Sequence, residues 1–348
     1  MPAFPRALLR NGFGAGGPTL AEVGERALLE RLIEIAEAGA GPAGEDRNGD
    51  DAAVWRPPPG HDLAVSIDAV VEDVDFRRDW ISPRQLGRKA FAVAASDLAG
   101  MGAQAVNCVA TLCARGSEQF EDVIEIQRGL CEAAASCGCA LIGGDVSAID
   151  GPLVIDVCVT GSLPAGRALR RSSGREGDVL MVSGVLGRAA AGLRLLRESR
   201  APTDLLETRW IEAQLQPPSR LAEGRRLLDA GVLCGGDVSD GLLLDAARTA
   251  RACGCAAELW ADSLPVDAPL RDRFGGEWLE LAGGGGEDFE LLVAVAQQDA
   301  MRLLTGWPAE LAPLTAVGML RAGSGVQLLD RRDGTPLATP ASAAEHFT

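Results

Sequence analysis

The side chains of this sequence best suited to chemistry are aspartates set among small residues. An isolated Asp of this kind is more often the cap of a turn or helix. Several such carboxylates beside apolar segments are costly to bury unless they are paired or bound to a metal. They occur in NGDDAAV (Asn48–Val54), SIDAVVEDVDF (Ser66–Phe76), AASDLAGMGA (Ala94–Ala103), GGDVS (Gly143–Ser147) and GGDVSDG (Gly235–Gly241). The five motifs together indicate a carboxylate-rich site.

The ligand types available favour a hard cation. The chain contains two His, so a histidine-based transition-metal site is not expected. Carboxylates alone favour Mg²⁺, Mn²⁺ or Ca²⁺. Glycines precede the Asp in both GGDVS motifs, and such glycines let backbone N–H groups approach an anion closely. Because the P-loop, protein-kinase and dinucleotide signatures are absent from the sequence, the residues predict a metal-dependent phosphate-handling site without a particular reaction.

Composition narrows the class of protein. The chain has 348 residues and a formal net charge of −16, which argues against nucleic-acid partners and anionic membrane surfaces. Nine Cys without a CxxC pair predict reduced thiols and a cytoplasmic location. The start lacks the pattern of a signal peptide, and no apolar run is long enough to span a membrane, so no membrane association is expected.

Helices and strands are both expected in each half of the chain, which predicts an α+β fold. A mobile N-terminus (1–20), an N-terminal domain (21–163) and a C-terminal α/β domain (164–348) are predicted, with a linker near Pro164–Gly177. Helices are expected over Glu22–Glu37, Ser82–Gly102, Gln119–Cys137, Arg188–Arg197 and Arg220–Ala230, with another after the second GGDVS. Strands are expected at AAVW, DLAVSIDAVV, VNCVATLCA, LVIDVCVTGSL, GDVLMVSG, AAELW and LTAVGML, while CALIGGDV is expected to run from strand into loop.

In chain order, the motifs resemble those of the thiamine-monophosphate kinase family, within the aminoimidazole ribonucleotide synthetase-like superfamily. The resemblance spans about Leu28 to Phe347 and rests on NGDDAAV, SIDAVVEDVDF, RKAFAVAASDLAGMGA, LIGGDVS, GRALRRSSG, DVSDGLLLD and GGGEDFELL. It implies two domains, with the N-terminal domains of two subunits pairing into a dimeric β-barrel. It also implies that ATP lies in a groove rimmed by the acidic loops. The two GGDVS motifs would then serve one nucleotide–metal cluster from different domains.

The resemblance also implies residue roles. The metal ligands would be Asp51, Asp68, Asp97, Asp145 and Asp237, joined by Asp50, Ser66 and Asp240. ATP would contact Gly144, Asp145, Arg171 and Ser239, and the catalytic residues would be Asp237, Asp240 and Arg171. The acceptor would be bound by Asp75, Glu287 and Ala344. Independently of the resemblance, the position of Lys89 two helical turns before Asp97 predicts a structural or phosphate-facing role.

Two acceptor positions depart from the family pattern. The family has a His where this chain has Asp75, and an aromatic residue that stacks on thiamine where it has Ala344. The leading hypothesis is an ATP- and Mg²⁺-dependent homodimeric kinase that converts thiamine monophosphate to thiamine diphosphate, with thiamine monophosphate expected to be a poor substrate. The alternatives are an ATP-dependent enzyme with another small-molecule acceptor, and a nucleotide-binding homologue without catalysis.

Overall fold

The computed structural model describes residues 12–14, 16–38 and 52–339. Contacts divide these residues into two compact units. The first comprises the described residues up to Leu98, with Ala105–Ala165 and Ser199–Ala201. The second comprises Ala99–Gln104, Gly166–Glu198 and the described residues from Pro202 onward. The predicted boundary between 163 and 164 stays a proposal.

Helices and strands both occur in each unit. The helices are α1 (Leu20–Val23), α2 (Glu25–Ala38), α3 (Pro83–Met101), α4 (Phe120–Ser136), α5 (Arg188–Arg197), α6 (Leu205–Leu215), α7 (Leu221–Asp229), α8 (Leu242–Cys253), α9 (Ala268–Phe274) and α10 (Gln297–Thr305). The strands are β1 (His61–Val71), β2 (Gln104–Ala114), β3 (Ala140–Ala148), β4 (Val154–Pro164), β5 (Val179–Ser183), β6 (Cys234–Val238), β7 (Ala256–Trp260), β8 (Glu290–Val295), β9 (Leu314–Arg321), β10 (Gly325–Leu329) and β11 (Pro336–Leu337). No helix in the described ranges has the length and apolar character needed to cross a membrane.

The first unit contains an open four-stranded sheet in the order β1-β4-β2-β3. Strands β1 and β4 pair antiparallel, from His61 opposite Pro164 to Val71 opposite Val154. Strands β2 and β3 pair parallel, with an irregularity between Cys108 and Ala110. The sheet does not close into a barrel in the part of the chain described.

Helix α3 begins at a capping box. The Ser82 hydroxyl accepts a hydrogen bond from the Gln85 N–H (3.3 Å), and the Gln85 side chain accepts one from the Ser82 N–H (3.1 Å). Pro83 occupies the first turn, where its missing N–H costs nothing. Side chains four residues apart then form one buried stripe, which anchors the helix in the core: Leu86, Ala90, Ala94 and Leu98.

Two glycines let α3 and α4 pack backbone to backbone. A Cβ at Gly87 would lie 1.9 Å from the carbonyl oxygen of Ile126. A Cβ at Gly129 would lie 1.9 Å from the carbonyl oxygen of Arg84. Any side chain at either position would force the helices apart, so both positions require glycine for packing.

The second unit is built on a seven-stranded mixed sheet in the order β11-β10-β7-β9-β5-β8-β6. Its interior strands β5 and β8 are buried along their whole length, as strands covered on both faces require. Strand β6, at one edge, carries the second GGDVS motif and pairs antiparallel with β8, with Asp237 opposite Leu291. This pairing places the end of one acidic motif beside the start of the strand that follows GGGGED.

Most of the predicted elements are confirmed, within one or two residues for the helices. The prediction of one helix over Glu22–Glu37 is wrong, because Gly24 adopts a φ of 82° and separates α1 from α2. The strand predicted at AAVW is wrong, since residues 52–55 form none. The loop predicted within the first GGDVS is also wrong, because β3 continues through that motif to Ala148.

Candidate active site

In the first unit, strand β1 and helix α3 bring two predicted metal ligands together. Ser66 and Asp68 alternate along β1 and therefore lie on the same face of the sheet. The Ser66 hydroxyl donates a hydrogen bond to Asp97 Oδ2 on α3. Asp97 is exposed although it lies in the otherwise buried stretch from Ala94 to Leu98. The pair thus presents oxygen atoms to solvent from two rigid elements.

The first GGDVS motif lies on strand β3, where its glycine has a packing role. Gly144 lies opposite Ala110 of β2, and a Cβ at Gly144 would be 2.1 Å from the Ala110 carbonyl oxygen. Asp145 follows with an exposed carboxylate that accepts a hydrogen bond of 2.9 Å from the Ser147 hydroxyl. The strand therefore requires glycine at 144 independently of any ligand, while the carboxylate at 145 remains accessible.

A cavity of about 570 Å³ lies beside this motif within the first unit. It is lined by parts of α2, β2, α4, β3 and β4, including Gly143–Val146, and by Ala52 and Ala53. Its volume is within the range of small-molecule sites, roughly 300–1,000 Å³. The predicted nucleotide contacts Gly144 and Asp145 thus border a space of suitable size.

In the second unit, Arg171 and Asp237 form an ion pair. Arg171 Nη2 lies 3.3 Å from Asp237 Oδ1, and the carboxylate is 4% exposed whereas the arginine side chain is 40% exposed. Gly236 makes room for this contact, because a Cβ there would lie 2.8 Å from Arg171 Nε. Arg171 Nε itself has no hydrogen-bond partner among the described residues. The guanidinium is thus held at one edge, and its exposed part can donate to a phosphate group.

The turn after β6 is fixed by a buried carboxylate. Asp245 Oδ2 accepts hydrogen bonds from the N–H groups of Ser239 (3.1 Å) and Asp240 (3.0 Å). Arg248 donates to Asp240 and also to Asp245, the latter at 2.9 Å. Burial raises the pKa of Asp245, and the backbone donors and Arg248 oppose that shift. The Asp240 carboxylate is therefore oriented from one side by an arginine.

The glycine-rich loop before β8 is tied to this turn by its main chain. The Glu287 N–H donates to the Ser239 carbonyl at 2.7 Å, and the Phe289 N–H donates to the Val238 carbonyl at 2.9 Å. A Cβ at Gly286 would lie 2.8 Å from the Ser239 oxygen, so only glycine fits this approach. Two predicted site residues 48 positions apart, Ser239 and Glu287, are brought together in this way.

Glu287 is held in a strained conformation. Its φ is 65°, in the left-handed region that non-glycine residues rarely adopt, and that of Phe289 is 48°. The Gln214 side-chain amide, on helix α6, donates a hydrogen bond to Glu287 Oε2. Strain of this kind persists where surrounding contacts enforce it, and it is concentrated at functional sites. The carboxylate of Glu287 is thus positioned by both its backbone and a buried neighbour.

The other carboxylates of GGGGEDFE serve the fold. Asp288 Oδ2 accepts from the Gly187 N–H at 2.7 Å and Oδ1 from the Ala189 N–H at 3.3 Å, so Asp288 caps the start of α5. Burial raises the pKa of Asp288 to about 8. Glu290 binds both Arg220 Nε (2.6 Å) and Nη2 (2.7 Å). Of the three acids in this motif, Glu287 alone is half-exposed.

Asp75, a predicted acceptor contact, is engaged in its own turn. Its Oδ2 accepts a hydrogen bond of 2.8 Å from the Val71 N–H. Lys89 is 1% exposed and donates to the Asp75 carbonyl oxygen at 3.2 Å, which is a structural role. Three further predicted residues, Asp50, Asp51 and Ala344, lie outside the described residues.

The donor set of the predicted metal site fits a hard divalent cation, because it consists of carboxylate and hydroxyl oxygens. Within the described residues, no three His, Cys, Asp or Glu side chains converge as a ready-made metal site.

Sequence reasoning missed three residues that shape the second unit's site. They are Asp245, Arg248 and Gln214. The sequence did contain a signal for Asp245 and Arg248. Asp245 lies in the first turn of a helix, four residues after Gly241, and Arg248 follows three residues later, so both side chains can reach the preceding turn. Gln214 gave no such signal, because its helix was not predicted.

Comparisons with known proteins first define the class. Residues 49–163 match the family described as AIR synthase related protein, N-terminal domain, and residues 175–329 match its C-terminal domain. The chain therefore has the two-domain, mixed α+β fold of AIR synthase related proteins.

Three relatives define the family within that class. The thiamine-monophosphate kinase of Bacillus subtilis is 32% identical over 301 residues, which covers 86% of this chain and 92% of that protein. The thiamine-monophosphate kinase structure from Stenotrophomonas maltophilia K279a is 32% identical, covers 88% of this chain and 97% of that chain, and has a TM-score of 0.78. AaThiL complexed with AMPPCP and TMP is 26% identical, covers 94% of this chain and 98% of that chain, and has a TM-score of 0.72. The chain belongs to the thiamine-monophosphate kinase family.

Proposed function

We propose that this protein is an ATP-dependent kinase that phosphorylates thiamine monophosphate and releases thiamine diphosphate and ADP. The observation that carries the proposal is the likeness over nearly the whole chain to thiamine-monophosphate kinases, one neighbour of which was solved with AMPPCP and TMP. Phosphoryl transfer of this kind depends on positioning and charge stabilisation. A phosphate acceptor is already nucleophilic at neutral pH, so no strong base is required of the protein.

Mg²⁺ is the proposed cofactor, and when bound it would neutralise phosphate charge and align the reacting groups. Two observations support Mg²⁺ ligands in the first unit: the hydrogen bond from Ser66 to Asp97 and the accessible carboxylate of Asp145. In the second unit, Arg248 holds the carboxylate of Asp240 in place. The proposed ligands are Asp50, Asp51, Ser66, Asp68, Asp97, Asp145, Asp237 and Asp240.

Arg171 is the proposed phosphate-binding and catalytic cation. Its pairing with Asp237 fixes the guanidinium, and its remaining N–H groups suit the bidentate recognition of phosphate oxygens. Gly144, Asp145 and Ser239 are the proposed further ATP contacts. Asp237 and Asp240 complete the proposed catalytic set. The ion pair with Arg171 holds Asp237, and the hydrogen bond from its N–H group to Asp245 holds the backbone of Asp240.

Glu287 is the proposed contact to the acceptor, together with Asp75 and Ala344. A carboxylate at Glu287 complements the positive thiazolium ring of thiamine, and Gln214 keeps one of its oxygens oriented. The Val71 N–H donates a hydrogen bond to Oδ2 of Asp75 and orients that carboxylate. The departure at Asp75 favours a second candidate function, in which the same ATP site serves another small-molecule acceptor.

We also propose a homodimer whose first units pair through the open sheet. Three apolar side chains alternate along edge strand β1 and are exposed: Leu63 (50%), Val65 (65%) and Ile67 (61%). An apolar edge strand of this kind promotes pairing with another chain. Pairing of two such sheets into a dimeric β-barrel would bury the stripe. Light scattering tests this proposal, and a monomer at micromolar concentration would contradict it.

The cytoplasm is the proposed location. The cysteines of the described residues are free thiols, which fits a reducing compartment.

An acceptor screen tests the function. Purified protein is incubated with ATP, Mg²⁺ and either thiamine monophosphate, thiamine or other small phosphates and alcohols, and ADP release is measured. We expect release that depends on thiamine monophosphate. Release that depends only on a different acceptor would support the second candidate, and nucleotide binding without turnover would support a non-catalytic homologue.

A matched pair of arginine variants tests the role of Arg171. Arg171→Ala should abolish turnover, because the phosphate loses its bidentate partner. Its neighbour Arg170 is exposed and makes no ion pair among the described residues, so Arg170→Ala should retain wild-type turnover. Equal losses in both variants would mean that Arg171 has no specific role.

A further inference from the structure

Two cysteines of the second unit meet behind Arg171. Cys234 is the first residue of β6 and Cys253 is the last residue of α8. Both thiols donate to the same acceptor, the carbonyl oxygen of Arg171, with Sγ–O distances of 3.5 Å for Cys234 and 2.9 Å for Cys253. The consecutive elements β6 and α8 thus place their sulfur atoms at one point of the fold.

Gly174 leaves the space in which the two sulfurs lie. A Cβ at Gly174 would be 3.0 Å from each Sγ atom, tighter than most real Cβ contacts. Burial raises the pKa of Cys234 to about 12, and the neighbouring Cys253 thiol adds to that shift. The two thiols are therefore direct neighbours in a tight space.

The pair differs in accessibility. Cys253 is half-buried, whereas Cys234 is buried. Cys234 nevertheless borders a cavity of about 450 Å³ that is also lined by Ser173 and Arg226. Because Cys253 is the more exposed residue of the pair, the first attack is placed on Cys253, and Cys234 lies within reach for the resolving step.

We propose that Cys234 and Cys253 form a reversible modification site, which a small-molecule disulfide converts to an intramolecular disulfide. The Cys253 thiolate attacks one sulfur of the reagent, whose S–S bond breaks and whose other half leaves as a thiol after taking up a proton. The Cys234 sulfur then attacks Cys253 in the mixed disulfide and releases the second reagent thiol. The protein loses two electrons and two protons, and the reagent is reduced to two thiols.

Oxidation acts on the proposed ATP site through Arg171, and this part rests on the proposed function. The disulfide removes both S–H donors from the Arg171 carbonyl oxygen. It also links the start of β6 to the end of α8, while Asp237 lies three residues further along β6 and binds the Arg171 guanidinium. The oxidised protein should therefore bind nucleotide more weakly, by about five- to tenfold, the size expected for losing one or two hydrogen bonds.

The test combines disulfide mapping with nucleotide binding on the full chain. The protein is treated with oxidised glutathione, remaining thiols are alkylated, and cross-linked peptides are identified by mass spectrometry. Calorimetry then measures the Kd for AMPPCP with Mg²⁺ before and after oxidation and after reduction with dithiothreitol. Cys234→Ser and Cys253→Ser keep an O–H donor for the Arg171 oxygen but cannot form the disulfide. Cys255→Ser, two residues from Cys253, is the matched control.

We expect a Cys234–Cys253 cross-link in the wild type and in Cys255→Ser, with a reversible rise in Kd in both. Either serine variant of the pair should show neither effect. Absence of this cross-link, or an equal rise in Kd in Cys253→Ser, overturns the proposal. A cross-link that leaves Kd unchanged overturns its coupling to Arg171. Because mapping needs no turnover, failure of the kinase assignment is detected separately by the acceptor screen.

Discussion

The strained backbone at Glu287 allows a comparison in which glycine and alanine should exchange their usual order of stability. Glu287→Ala and Glu287→Gly both remove the carboxylate and its hydrogen bond from Gln214. They differ only in the backbone, because Ala must keep the positive φ of 65° whereas Gly adopts it without strain. The difference in the free energy of unfolding between the two variants therefore measures the cost of the backbone conformation at this position.

The expected difference follows from two opposing effects. A left-handed conformation costs an L-residue roughly 1–2 kcal/mol, and glycine escapes this cost. Glycine in turn loses more backbone entropy on folding, by roughly 0.5–1 kcal/mol relative to Ala. We therefore expect Glu287→Gly to be more stable than Glu287→Ala by about 0.5–1 kcal/mol. In a protein of this size, that corresponds to a difference in Tm of about 1 °C.

The measurement is urea unfolding of both variants, with turnover of thiamine monophosphate as a second readout. Glu30 provides the control, because it is exposed in the regular helix α2. There the Gly variant should be less stable than the Ala variant by about 0.5–1 kcal/mol. Both Glu287 variants should lose activity to the same extent. If Glu287→Ala were the more stable of its pair, backbone strain at this position would be refuted.

The remaining predictions concern charge at and near the site. Asp97→Asn should abolish Mg²⁺-dependent ATP turnover in an ADP-release assay while metal-free Tm holds or rises, and an unfolded variant would show that Asp97 is a structural cap. Arg248→Ala should lower kcat about tenfold by freeing Asp240, a loss that Arg248→Lys should partly restore; unchanged steady-state kinetics would argue against this role. Thiamine monophosphate should be a poor substrate, and the double variant Asp75→His with Ala344→Tyr should lower its KM; a micromolar KM in the wild type would contradict this. Burial raises the pKa of Asp288 to about 8, so the folded state retains a proton that the unfolded chain releases near pH 4. The wild type should therefore lose stability as pH rises from about 4 to about 8, and urea unfolding of Asp288→Asn should show a flatter dependence.

Long periodic segments were predictable from the sequence because local signals and packing agree in them. Helix α3 carries a Ser82–Gln85 capping box, a proline in the first turn and a buried stripe, so its predicted range of Ser82–Gly102 is confirmed as Pro83–Met101. The predicted helix Arg188–Arg197 is confirmed at both ends. In these cases the same residues that favour a helix in isolation also face the core.

The sequence was insufficient to predict elements whose secondary structure depends on the strands or helices they pair with. The first GGDVS has the composition of a turn, yet β2 holds it as a strand through the close approach of Gly144 to Ala110. Helices α6, α9 and α10 and strands β6, β10 and β11 were not predicted, since tertiary contacts outweigh their weak local patterns. Sequence motifs were sufficient to identify the candidate site residues. Gln214 and Arg248, which hold the carboxylates of Glu287 and Asp240 in place, were identified only from the structure.

The main-chain bonds between the Ser239 turn and the Glu287 loop have a consequence for how this family can diversify. Two peptide groups join the loops, from Glu287 to Ser239 and from Phe289 to Val238, and neither bond depends on the side chain at its ends. Replacing a side chain at 239 or 287 therefore leaves the spacing of the two loops intact. The proposed acceptor contact at 287 can therefore be exchanged while the main-chain bonds that hold its loop are kept. Point substitutions at 287 are thus compatible with a folded chain, because the two loops stay joined through their peptide groups.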